Sequence, residues 1–184
     1  MTTTKSFSGV QVKAGAEGRV SAVIATFSVI DRDGDVVLPG AIRDGAEVVL
    51  SAYGHASHGG ALPVGKGVIR TTSTEAIIEG QFFMDTEGGR ETFAVVKGLG
   101  SLQEWSWSLH DVKGYQGTLD GQPANFIESV RIKEVSPVLL GASIGTRTLA
   151  AKSASNIAAE REFARFVRAG VIAAGARIDD EKRN

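Results

Sequence analysis

A chain of 184 residues, 42% hydrophobic and 22% charged, has the length and balance of one globular domain with room for a tail. A net charge of -1 provides no basic face of the kind that displaces counterions, so nucleic-acid binding is not expected. Cysteine is absent, which excludes disulfides, thiolate metal ligands and a cysteine nucleophile. In chain order, residues 18–30 (GRVSAVIATFSVI) read as a long strand that ends at the acidic turn DRDGD. A short helical turn over 41–45 and a strand running into His55 come next. Strands are expected over 64–70 and 76–84, joined by the polar turn TTSTE. DTEGGRETFAVVKG reads as a helix capped by Asp85 or Thr86, with Phe93 and Val96 inward and Gly98 as the stop.

From Leu102 to Val112 the residues alternate with strand period. Trp105, Trp107 and Leu109 fall on one side, and Glu104, Ser106, Ser108 and His110 on the other. DGQP marks a hairpin turn, and ANFIESVRIKEVSPVLLGAS holds one or two more strands. After Arg147 the chain turns small and polar at AAKSASN. It then shows Phe163, Phe166, Val167 and Val171 at helical spacing. The organisation expected is a body over 1–152 and a linker with an amphipathic helical tail over 153–184.

The segment MTTTKSFSG lacks the apolar core of a signal peptide, and no apolar run approaches the roughly 20 residues of a membrane span. No membrane association and a cytosolic site of action are therefore expected. DRDGD lacks the distal glutamate of a calcium loop, and PVGKG is too short for a phosphate loop. Two of the three histidines, His55 and His58, lie in the glycine-rich stretch YGHASHGGALPVGKG. A serine hydroxyl becomes a useful nucleophile when an imidazole takes its proton. The bland alternative is a wet strand face of serines and a surface loop with incidental histidines.

Four segments in order, VIDRDGDVVLPGAI, LPVGKG, LQEWSWSL and KEVSPVLLGAS, resemble the tailed-phage prohead proteases, serine enzymes similar to the herpesvirus assemblins. The resemblance runs from about Val20 to Lys152. It implies a mainly β (α+β) fold, an antiparallel β-barrel flanked by helices, and a serine endopeptidase that needs no metal or organic cofactor. The implied nucleophile is Ser106, with Ser108 standing where the family usually has glycine. The implied base is His55, with His58 as its rival. The assemblins use a second histidine on a later strand; none follows His110 here, so a carboxylate is expected instead. Glu134 is the first choice, with Glu104 and Asp111 as alternatives. The implied substrates are the scaffold protein or a scaffold-like extension of the major capsid protein, and the protease itself. The implied setting is the procapsid assembling in the host cytoplasm, and a homo-oligomer is compatible with it. Two other classes remain open: a non-catalytic β-barrel inside the capsid, and a small-molecule hydrolase using the same pair.

Overall fold

The computed structural model describes residues 17–152, and the expected tail over 153–184 lies outside the described residues. Eight strands and one α-helix make up the described fold: β1 (Arg19–Thr26), β2 (Asp35–Val37), β3 (Glu47–Leu50), β4 (Gly65–Thr71), β5 (Glu75–Phe82), α1 (Glu87–Leu99), β6 (Glu104–Leu119), β7 (Gln122–Val138) and β8 (Arg147–Lys152). The protein is mainly β, as expected. Its single sheet is mixed, because β2 and β3 run parallel to β7 while the other pairs are antiparallel.

The long β6–β7 hairpin organises the sheet. Its turn is the two-residue Asp120–Gly121, both with positive φ (51° and 80°), between the facing Leu119 and Gln122. Both residues tolerate that left-handed backbone, whose twist matches the flanking strands. One edge of β7 takes β6, and the other takes β2 and then β3 in parallel. From β3 the sheet continues through β4, β5 and β1 to β8.

The hydrogen-bonded ladder is open, not closed into a barrel: β6 and β8 share no backbone pairing. Side chains cross that seam instead. Trp105 Nε1 and Gln103 Nε2 both donate to Thr148 Oγ1, Trp105 N donates to Thr146 Oγ1, and Trp107 Nε1 donates to the Ile24 carbonyl. Trp105 is fully buried in the core with Ile24, Leu50, Ile78 and Val135. Truncating such an aromatic costs about 3–5 kcal/mol.

The glycines of β4 and β5 serve packing. A Cβ on Gly65 would lie 2.9 Å from Leu50 Cδ1, and one on Gly80 would meet the same atom at 2.9 Å. The bare backbone makes room for Leu50, and a Cβ on Gly67 would lie 2.7 Å from the Glu79 carbonyl, so packing accounts for GKG without any phosphate. The helix begins as expected, with Thr86 Oγ1 accepting from Gly89 N and with Phe93 and Val96 buried, but it passes Gly98 and ends at Gly100, whose φ is 54°. DRDGD is a turn tied by Asp31 Oδ1, which accepts from the N–H groups of Asp33 and Asp35. β8 includes Ala150–Lys152, so the first three residues of AAKSASN belong to a strand. Among the described residues no helix is long and apolar enough to cross a membrane.

Candidate active site

β3 ends at Leu50 instead of running into His55. The chain then continues along the edge of β7 as a loop held by hydrogen bonds. Ser51 N donates to the Val135 carbonyl, Gly54 N to the Pro137 carbonyl, and Ser57 N to Ser51 Oγ. His55 sits in this loop with φ 58°, ψ 33°, at the start of a 3-10 turn over Ala56–Gly59. A left-handed backbone is costly for a side chain with a Cβ, and it persists only where the surroundings fix it. Here they do. His55 N donates to Ser136 Oγ at 2.9 Å, and that buried hydroxyl lies 3.0 Å from the Ala52 carbonyl it can donate to.

The ring is fixed as well. His55 Nδ1 lies 2.8 Å from Glu134 Oε2 and 3.2 Å from Oε1. An ionised carboxylate can only accept, so Nδ1 carries the hydrogen and Nε2 is left as the basic nitrogen. The Glu134 side chain is 6% exposed and that of His55 26%. Of the three carboxylates weighed from the sequence, Glu134 is the one that meets a histidine. Glu104 is held by both Arg32 Nη atoms and accepts from Gly141 N. That contact with Arg32, more than the Gly141 N–H, holds the Glu104 carboxyl below its ordinary range, against the opposing effect of desolvation. Asp111 pairs with Arg131 on the exposed hairpin, and His110 lies opposite the same Arg131.

Ser106 is directly opposite Ser136 in the β6–β7 ladder. Facing residues on one side of an antiparallel pair have Cβ atoms about 4.5–5.5 Å apart. Ser106 is therefore the neighbour of the hydroxyl that holds His55, on the face that also carries Glu134. It is half-buried, and it makes no hydrogen bond to either imidazole. Ser108 differs. The ladder slips between Trp107 and Leu109, and Ser108 there is 8% exposed with an Oγ that has no partner. The same slip turns Leu109 outward, 47% exposed, against the alternation expected for it.

Ser136 is the residue whose part in the cluster the sequence did not reveal, while His58, the rival base, joins the cluster beside His55. The His58 ring stacks on His55 with centroids 5.3 Å apart and planes 16° from parallel, and its Nε2 lies 3.5 Å from Glu134 Oε2. The i, i+2 spacing of Glu134 and Ser136 on a strand was the one available signal that both share a face. A groove of about 960 Å³ is lined instead by residues such as Arg19, Glu47, Lys66 and Glu79, and holds none of this cluster. Chemistry on an extended peptide needs a surface cleft and not a deep cavity, so side-chain geometry identifies the site better than volume does. Comparison with protein-family models, curated proteins and solved structures finds no match to this chain.

Proposed function

We propose that the protein is a serine endopeptidase of the prohead type, which cleaves scaffold protein or a scaffold-like extension of the major capsid protein, and itself, inside the assembling procapsid. What carries this reading is the linkage His55 Nδ1–Glu134, set on the strand face where Ser106 stands opposite Ser136. Glu134 fixes the tautomer, so His55 Nε2 can take the Ser106 proton as Oγ adds to the scissile carbonyl. The imidazolium then protonates the leaving amine as the C–N bond breaks. Water, activated by the same nitrogen, hydrolyses the acyl-enzyme and restores the serine. The catalytic hydrogen bond need not be closed before substrate arrives.

Exposure favours Ser106 over Ser108 as nucleophile, because a substrate carbonyl must reach the hydroxyl and Ser108 Oγ is sealed. The barrel implied by the resemblance draws support from the seam, where Trp105 of β6 and the preceding Gln103 both bond to Thr148 of β8 and bring the two end strands of the ladder together. A second reading, a non-catalytic β-domain of the capsid interior, is favoured by the lack of a Ser106–imidazole hydrogen bond. Mass spectrometry of the full chain over time separates them. Self-shortening that stops in Ser106→Ala supports the peptidase, and a chain that stays intact with scaffold and capsid protein present supports the structural role.

A further inference from the structure

The carboxylate of Glu134 is in an unusual position. It is a buried anion whose partners among the described residues are two imidazoles and nothing else. Only one of them, His55, is within hydrogen-bond distance. Burying a carboxylate with so little compensation is expensive, and the usual remedies are a full positive charge or a metal ion. Lys133, beside it in sequence, is exposed and does not serve.

One ring nitrogen each of His55 and His58 and a Glu134 oxygen all lie within 4.8 Å of one another. Metal–ligand lengths of about 2.0–2.2 Å for nitrogen and carboxylate oxygen put tetrahedral ligand atoms roughly 3.3–3.5 Å apart. The 3.5 Å between His58 Nε2 and Glu134 Oε2 already meets that spacing. The 2.8 Å between His55 Nδ1 and Glu134 must open slightly as the bridging proton leaves. That opening falls to the His55 ring, the exposed His58 closes toward it, and buried Glu134 stays as the anchor. Two imidazoles and one carboxylate suit zinc and its neighbours, whereas calcium and magnesium prefer oxygen alone.

We propose that His55, His58 and Glu134 form an inhibitory binding site for a zinc-class divalent cation, a regulation that rests on the peptidase reading above. The inhibition follows from the tautomer. A metal on Nδ1 takes the lone pair there, and the neutral ring then carries its hydrogen on Nε2. That nitrogen becomes a donor and can no longer accept the Ser106 proton. The cation also neutralises Glu134, which otherwise stabilises the imidazolium. One ion thus switches off the base and its orienting group together, and its release restores both.

The test uses the full chain, purified with chelator and titrated with zinc chloride against a chromophoric zinc indicator. Expected is one zinc per chain. Loss of a direct ligand in His58→Ala should weaken it by more than the about 10–100-fold typical of an outer-shell change, with an unchanged circular dichroism spectrum. Cobalt(II) should give visible d–d absorption of a tetrahedral site, lost in the same variant. Self-processing should stall at one equivalent of zinc and resume on chelation. His58→Ala, compared with its own chelator-treated rate, should be zinc-resistant. Absence of stoichiometric zinc, or equal binding by His58→Ala, overturns the site. Faster processing with zinc overturns its inhibitory role. Stoichiometric, His58-dependent binding by a chain that never processes supports the site while overturning the peptidase reading.

Discussion

The Ser136 hydroxyl accepts the backbone N–H of His55 at 2.9 Å, 81 residues away in sequence, and directly faces Ser106 across the β6–β7 ladder. One small buried side chain thus connects the strand bearing the proposed nucleophile to the loop bearing the proposed base. Ser136→Ala keeps the volume nearly constant but leaves the His55 N–H without its acceptor, a desolvation cost of about 1–3 kcal/mol. Misplacement of the imidazole by about 1 Å lowers turnover roughly 100-fold. The loss should appear in kcat with KM little changed, because Ser136 is buried away from substrate. A KM effect alone would remove Ser136 from the positioning role.

Glu134→Gln tests the tautomer. A glutamine amide can donate to Nδ1, which favours hydrogen on Nε2 and leaves the base facing Ser106 the wrong way round. Replacing the orienting carboxylate of a serine triad by its amide costs about 10⁴-fold in kcat, and a loss of that order is expected here with the fold retained. Full activity in Glu134→Gln would show that the carboxylate serves folding alone.

Ser108→Ala should be neutral or stabilising. The Ser108 hydroxyl is sealed without a partner, and a buried unpaired hydroxyl costs about 1–3 kcal/mol. Thermal unfolding should rise or stay level, and processing should continue. A clear drop in stability would mean that the hydroxyl has a partner after all.

The Arg32–Glu104–Gly141 clamp gives the acid limb of the stability curve. Glu104 is held below its ordinary value chiefly by the Arg32 hydrogen bond. A carboxylate depressed on folding contributes stability that is complete above its unfolded value, about 4.3, and is lost as pH falls through the lower folded value. Asp31 is raised, mainly by desolvation, and contributes in the opposite sense. The difference between wild type and Glu104→Gln isolates the first effect. Melting temperatures taken from pH 7 to pH 3 should converge as the pH falls, and a gap that widens toward acid would contradict the clamp.

Much of the architecture was legible because it depends on local chemistry. Asp120–Gly121 permits one kind of tight hairpin, and Thr86 three residues before Gly89 is a helix cap whatever surrounds it. The pairing of His55 with Glu134 was anticipated only through the order of motifs, since no local rule joins residues 79 apart. Features that depend on strand register left no trace in composition. The slip at Ser108 turns Leu109 outward, and β3 stops at Leu50, before the loop that carries His55. His58 reads as a loop residue in sequence and becomes a cluster member because the turn over Ala56–Gly59 folds its ring back onto His55. The open seam was hidden for the same reason: alternation in β6 reveals its faces but not whether its free edge finds β8.

The central claim is that Ser106 is a nucleophile activated by His55 and oriented by Glu134. A fluorophosphonate probe reports this without any knowledge of the natural cleavage site, because it phosphonylates only an activated serine. The chelator-treated full chain should take up one equivalent, and peptide mass spectrometry should find it on Ser106. Labelling should vanish in Ser106→Ala and His55→Ala and survive in Ser108→Ala. No labelling of the folded protein, or a label on Ser108 that persists in Ser106→Ala, would contradict the account.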